Sequence, residues 1–117
     1  MTDRTYLAEG AKSRGIVTLQ RRDRTGAWRR CLELPVPKGS RYSAWVQDNA
    51  LWLDIEGADA EGDWVQEFGD VALGHYVSIS GGRTYVGEEP IIGPAYSRRT
   101  ATGEVALLVF GQEVQDA

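Results

Sequence analysis

The chain has 117 residues, enough for one domain with its own hydrophobic core, and 42 % of them are hydrophobic. Its formal net charge is −4. The one cysteine and one histidine exclude an intrachain disulfide and disfavour a zinc site. The first ten residues lack the apolar segment of a signal peptide, and no apolar run reaches the ~18 residues of a membrane helix. We therefore expect synthesis in the cytoplasm, no membrane partner and no cofactor.

The pattern of short apolar stretches and turn residues predicts an all-β protein. Residues 1–14 are polar apart from Tyr6 and Leu7 and are predicted to form an N-terminal arm, followed by a β-sandwich domain over residues 15–117. The chain has fourteen glycines in 117 residues, a larger share than the roughly 7 % of an average protein, and they separate stretches rich in β-branched residues. We expect a single-domain antiparallel sandwich, Ig-like or jelly-roll-like, with about seven short strands and at most one short helix.

The first predicted hairpin joins GIVTLQRR to AWRRCLEL through the turn DRTG. Two registers place its apolar residues on one face: one sets Leu19 opposite Leu32 and Arg21 opposite Arg30, and the other sets Arg21 opposite Trp28. In the first register opposed arginines cost stability unless an anion relieves them, whereas the second allows a cation–π contact between Arg21 and Trp28. Both leave the arginines at the hairpin tip, beyond the apolar section. The candidate interface residues of this hairpin are Arg21, Arg22, Arg24, Trp28, Arg29 and Arg30.

The second predicted hairpin is RYSAWVQDNALWLDIE, turned at Asp48-Asn49. One register sorts both strands into an apolar face and a polar face, and on the polar face Trp45 lies opposite Trp52. These two indoles are further interface candidates. Three interpretations remain open for the pair: it is covered by another sheet or by the N-terminal arm, it is a protein interface, or it is a platform for a sugar ring.

The second half of the chain gives weaker signals. Residues 63–75 combine helical spacing with an interior Gly69, so strand and short helix both remain open. HYVSIS and RTYVGEE flank Gly81-Gly82, which predicts another hairpin with a primed turn. The near-continuous apolar run EVALLVF is typical of a central strand buried on both faces.

Motifs for catalysis are absent from the sequence, which contains no G-x-S-x-G, no Walker loop and no G-x-G-x-x-G. His75 is predicted to be a strand-end residue rather than a general base, and Cys31 a packed thiol rather than a nucleophile. The acidic connection from Asp54 to Asp63 lacks the spacing of an EF-hand loop and is predicted to be solvated. We expect that the protein is not an enzyme.

GIVTLQRRDRTGAWRRCLEL, residues 15–34, resembles the opening hairpin of small β-sandwich proteins in tailed-phage virions, where G-x-V-x-L-Q precedes a turn and a tryptophan. The resemblance covers about 20 of the 117 residues. It implies a decoration or adaptor subunit on a capsid or a tail, with several protein neighbours and no catalytic residues.

The charge distribution points to protein partners. Residues 1–41 carry a net +6 and residues 42–117 a net −10, so the arginines of one copy can meet the carboxylates of the next, with Asp59, Glu61 and Asp63 as the first candidates. A pI near 5 and the lack of nucleic-acid motifs count against a nucleic-acid partner. We predict a structural or adaptor subunit of a larger assembly, with a virion favoured. The alternative is a glycan- or ligand-binding β-sandwich module that uses exposed tryptophans.

Overall fold

A computed structural model describes residues 3–82 and 84–114 of the chain. Over these residues the chain forms eight strands and no helix, which confirms the predicted all-β, antiparallel, sandwich-like fold class. None of the described residues belongs to a helix that could cross a membrane. The strands are β1 Thr5–Lys12, β2 Ile16–Arg22, β3 Trp28–Pro35, β4 Arg41–Gln47, β5 Ala50–Ile55, β6 Glu61–Ile79, β7 Thr84–Arg99 and β8 Val105–Phe110.

All eight strands belong to one antiparallel sheet with the order β1-β4-β5-β8-β7-β6-β2-β3. The segment predicted as an N-terminal arm contributes β1, which pairs with β4 and forms one edge of the sheet. Its Leu7 is buried in the core, so this segment is tied down by apolar packing as well as by hydrogen bonds. The other edge is β3, whose only pairing partner among the described strands is β2.

The β4–β5 hairpin has the register predicted from the sequence. Tyr42 lies opposite Ile55, Val46 opposite Leu51, and Trp45 opposite Trp52. The turn adopts positive φ at both central residues, 53° at Asp48 and 58° at Asn49, as a two-residue turn between twisted strands requires. The β6–β7 turn differs from its prediction by one residue, because positive φ occurs at Ser80 and Gly81.

The β6–β7 hairpin bends sharply and joins the two layers of the fold. A straight strand of the 19 residues of β6 would span about 60 Å, whereas the longest dimension of the molecule is 39 Å. The bend is distributed over several register shifts between residues 61 and 76 of β6. In β7 it passes through Gly93, with φ 146°, where a Cβ atom would lie 3.0 Å from the Cα atom of Gly111.

Because of this bend, the early part of β6 and the late part of β7 lie in a layer with β8, β5, β4 and β1. The late part of β6 and the early part of β7 lie in a second layer with β2 and β3. One core fills the space between them and draws on both, with Val17 and Leu19 from β2 packed in the same cluster as Leu51, Leu53 and Phe110. The prediction that β8 is a central strand with both faces buried is confirmed.

Candidate interaction surface

The β2–β3 hairpin combines a predicted apolar section with an unpredicted β-bulge. Leu19 lies opposite Leu32, as in the first of the two predicted registers. Between this pair and the tip, Cys31 is inserted without a partner, and the register shifts by one residue. Both predicted tip registers are therefore wrong: Arg21 lies opposite Arg29, and Arg22 opposite Trp28. Burial raises the pKa of the Cys31 thiol, and the neighbouring Arg21 acts in the opposite direction.

Asp23 organises the turn between β2 and β3. Its Oδ1 accepts hydrogen bonds from the Thr25 amide at 2.9 Å, the Thr25 hydroxyl at 2.6 Å and the Ala27 amide at 3.0 Å. Its Oδ2 accepts from Arg29 Nε at 2.6 Å. The Thr25 hydroxyl and then the Arg29 guanidinium hold the pKa of Asp23 far below its usual range. The loop is therefore fixed by hydrogen bonds to an ionised carboxylate.

The five arginines of this hairpin, which we call the arginine tip, differ in their contacts. Arg29 pairs with Asp23, and Arg30 with Glu33 at 2.6 Å, although both arginine side chains stay largely exposed. Arg22 Nε donates to the Gly26 carbonyl at 3.2 Å. The arginine tip comprises Arg21, Arg22, Arg24, Arg29 and Arg30.

A row of large side chains crosses the solvent face of the layer that contains β2 and β3. Trp28 on β3 lies opposite Arg22 on β2, and the Arg22 guanidinium carbon lies 5.4 Å from the centre of the Tyr76 ring on β6. Tyr76 precedes Val77, which points into the core, so its own ring points outward. Trp28 and Tyr76 are each 40 % exposed. We call Trp28, Arg22 and Tyr76 the open row.

A second row crosses the outward face of the other layer. Tyr6 lies opposite Trp45, Trp45 opposite Trp52, Trp52 opposite Val109, and Val109 opposite Tyr96. We call these five residues the closed row, because Trp45 is only 8 % exposed and Val109 is completely buried.

The cover over Trp45 comes from the N-terminal strand and the residue before it. The Arg4 guanidinium carbon lies 4.2 Å from the centre of the indole, and the Tyr6 ring packs at 6.0 Å between centroids. Of the three interpretations left open for the tryptophan pair, cover by the N-terminal segment is the one observed for Trp45. Trp52 is partly exposed, although its Nε1 is buried and has no hydrogen-bond partner in the described chain.

An acidic bulge lies next to the open row. Tyr76 pairs with Val86, and Gly74 pairs with Ile91, so residues 87–90 of β7 are inserted opposite His75 alone. His75 Nδ1 donates to the Gly87 carbonyl at 2.7 Å, and Asn49 Nδ2 donates to the Pro90 carbonyl at 3.2 Å. The inserted Glu88 and Glu89 are exposed. We call residues 87–90 the acidic bulge.

A partly buried ion pair lies at the opposite end of the β6–β7 hairpin. Glu67 Oε1 accepts hydrogen bonds from the Arg99 guanidinium and, at 2.7 Å, from the buried Ser97 hydroxyl. Arg99 also donates to the Gly103 carbonyl at 3.0 Å. The cluster ties β6 to β7 and to the turn before β8. Among the residues that the structure describes, no group of three His, Cys, Asp or Glu side chains is arranged to hold a metal ion.

The structure thus separates the predicted site residues. Arg22, Arg30 and Trp28 lie on the solvent face of the β2–β3 hairpin, with Arg24 in its turn. Arg21 and Arg29 lie opposite each other on the other face, since Arg21 also lies opposite the buried Val77. Trp45 and Trp52 lie in the closed row. Tyr76 and the acidic bulge were not predicted as site residues. In HYVSI, alternation places the Tyr76 side chain on the sheet face opposite to that of Val77 and Ile79. The proline in EEP, within a strand pattern, is a signal for a bulge.

Comparisons with protein families, with curated proteins and with solved structures find no match to this chain.

Proposed function

We propose that this chain is a non-enzymatic structural or adaptor subunit of a larger protein assembly, and that it binds a neighbouring subunit through the open row and the arginine tip. The observation that supports this most is the exposure of Trp28 and Tyr76 on both sides of Arg22. Trp, Tyr and Arg are the residue types that dominate the binding energy of protein interfaces. An exposed tryptophan on a hairpin fixed by Asp23 is already positioned to enter a pocket on a partner.

The aromatic side chains and the arginines have different roles in this proposal. Burying a large apolar side chain contributes roughly 1.5–3 kcal/mol, whereas an exposed ion pair contributes about 0–1 kcal/mol. Trp28 and Tyr76 therefore hold the contact, and the arginines orient the partner and speed the encounter.

A protein partner is favoured over nucleic acid by the charge of the rest of the chain. Residues 20–30 carry a net +4, so the other residues carry a net −8 within the total of −4. Two of the five tip arginines are already paired with Asp23 and Glu33. A long phosphate backbone would extend beyond the arginine tip and meet the negative remainder of the chain. A protein surface can match the tip locally.

We propose a virion as the assembly, with the chain as a capsid decoration or a tail or neck subunit. The support is the resemblance of residues 15–34 to the opening hairpin of small virion β-sandwich proteins. The test is density-gradient purification of particles from the native source, followed by immunoblotting and immunogold imaging. The chain should migrate with intact particles, and its absence from every particle fraction would refute the virion role.

The binding surface is tested with purified particles and added variant chains. We expect Trp28→Ala to weaken co-sedimentation at least about tenfold, because it removes the exposed tryptophan that anchors the contact. Val65→Ala is the matched control, since Val65 is also exposed but lies on the early part of β6, away from the tip. Equal binding of wild type and Trp28→Ala would show that the open row is not the contact.

A further inference from the structure

We infer that the open row is also where two copies of this chain bind each other across a two-fold axis, with Arg22 and Arg24 of each copy against the acidic bulge of the other. This inference rests on the proposed function, because it uses the same surface. It replaces the head-to-tail contact expected from the sequence with a contact that closes at two copies.

The order of charges across the sheet carries the inference. From β3 to β7 the solvent face presents Trp28, then Arg22, then Tyr76, and then the acidic bulge. Arg24 lies exposed at the turn on the basic side, and Glu88 and Glu89 lie exposed on the acidic side. Tyr76 therefore lies between a positive flank, Arg22 with Arg24, and a negative flank, the acidic bulge, while Trp28 lies beyond Arg22 at the sheet edge.

Such a surface is complementary to itself. A 180° rotation about an axis through Tyr76 sets Arg22 and Arg24 of one copy on the acidic bulge of the other, and the same match occurs a second time by symmetry. The two Tyr76 rings then meet in the middle, where water is excluded. Every favourable contact is made twice, so ion pairs that are weak singly act together in orienting the two copies.

The acidic flank is held in place rather than being a loose loop. His75 and Asn49 bind the carbonyls at its two ends, and Gly87 lies so close to Tyr85 that an added Cβ would lie 2.0 Å from the tyrosine hydroxyl. The basic flank is held by the hydrogen bonds to Asp23. Two fixed flanks lose little conformational entropy when they bind.

The carboxylates expected from the sequence to receive the arginines lie elsewhere. Asp59, Glu61 and Asp63 flank the start of β6, where Glu61 pairs with Arg99, whereas Tyr76 lies near the end of that strand. A contact from the tip to those residues would join opposite ends of the molecule and extend into an array or a ring. The two arrangements therefore differ in stoichiometry.

The test uses charge reversals at the two flanks and sedimentation velocity of the isolated chain over a concentration series. The double variant Arg22→Glu/Arg24→Glu places acidic side chains against the acidic bulge of the other copy. The double variant Glu88→Lys/Glu89→Lys places lysines against the arginines of the other copy. Each variant should therefore weaken self-association about a hundredfold. An equal mixture of the two variants should form dimers again, because in the mixed pair both contacts join opposite charges. Recovery in the mixture also shows that both variants are folded.

Asp59→Lys/Glu61→Lys/Asp63→Lys is the control, and it should dimerise like wild type. Three results would overturn the inference: wild type that stays monomeric at the highest concentration, species that grow beyond the dimer, or a mixture that stays monomeric. The co-sedimentation experiment with Trp28→Ala keeps the proposed function separate, because it measures binding to particles whether or not the free chain dimerises.

Discussion

The open row and the closed row are both lines of aromatic side chains on outward faces of the same sheet, yet one is exposed and the other is covered. The closed row crosses five neighbouring strands, so Trp45 has an aromatic ring on both sides along the row, Tyr6 on β1 and Trp52 on β5. The open row crosses only β6, β2 and β3, and it ends at the sheet edge with Trp28. A tryptophan on a solvent face is thus covered or exposed according to its distance from the sheet edge.

The two rows also differ in what their arginines do. Arg4 lies over Trp45 and completes its cover, whereas Arg22 lies between two exposed rings and remains exposed itself. The same pairing of guanidinium and aromatic ring therefore serves folding in one layer and, in our proposal, binding in the other.

The largest expected difference is in the stability effect of removing one tryptophan from each row. Trp45→Ala should lower the free energy of unfolding by about 3–5 kcal/mol, because it leaves a cavity under Arg4 and Tyr6. Trp28→Ala should change it by less than about 1 kcal/mol, since the ring is 40 % exposed at an edge. Chemical denaturation measures both changes in the free energy of unfolding, provided that the m-value of each variant equals that of wild type.

Similar losses of stability for Trp45→Ala and Trp28→Ala would contradict the division into a closed row and an open row. Trp52→Phe serves as a control within the closed row. It removes the Nε1 atom that has no partner among the described residues and keeps an aromatic ring, so its effect should be much smaller than that of Trp45→Ala.

Breaking an ion pair should also cost more stability in the layer of the closed row than in the layer of the open row. Glu67→Ala should cost about 1–3 kcal/mol, because it leaves the buried Ser97 hydroxyl and the Arg99 guanidinium without their shared acceptor. Glu33→Ala, which breaks the exposed pair with Arg30, should cost at most about 1 kcal/mol. Thermal unfolding of the two variants side by side tests this, and equal losses would contradict it.

A smaller effect is expected at the cover of the closed row. Arg4→Ala removes the cation above Trp45 and should lower the free energy of unfolding by about 0.5–1 kcal/mol. It should also raise the accessibility of tryptophan to an acrylamide quencher. Arg24→Ala, which removes an exposed arginine from the tip, is the matched control and should change neither quantity.

The smallest effect concerns pH and the turn of the open row. Asp23 is held ionised in the folded protein, with its pKa lowered first by the Thr25 hydroxyl and then by Arg29. Its contribution to stability is therefore present above the ordinary aspartate pKa of about 4 and is lost as the pH falls towards the folded value. The stability difference between wild type and Asp23→Asn should shrink over that acidic range. A difference that stays constant with pH would contradict this account.

Much of the fold was predictable where alternation and turn chemistry agreed. The β4–β5 hairpin was predicted pair by pair, because Asp48-Asn49 defines the turn and each face keeps its character along both strands. The β6–β7 hairpin was harder to predict, since its bulges break the alternation that identifies a strand and also create the bend between the layers.

The candidate surface was predictable only on its basic side. The arginines and Trp28 are neighbours in the sequence, whereas Tyr76 and the acidic bulge join them through the pairing of β2 with β6 and of β6 with β7. The exposed state of Trp28 and the covered state of Trp45 depend on strand order, which local patterns do not determine.

The bent β6–β7 hairpin has a consequence for how the chain folds. Its strands are joined by a short turn, so they can meet at little entropic cost, while β5 must find β8 across more than fifty residues, with Leu51 opposite Phe110. Since each half of the sheet depends on one end of this hairpin, neither half has a complete set of strand partners until it has formed. We expect one cooperative folding transition on the millisecond-to-second timescale of proteins dominated by distant strand pairing.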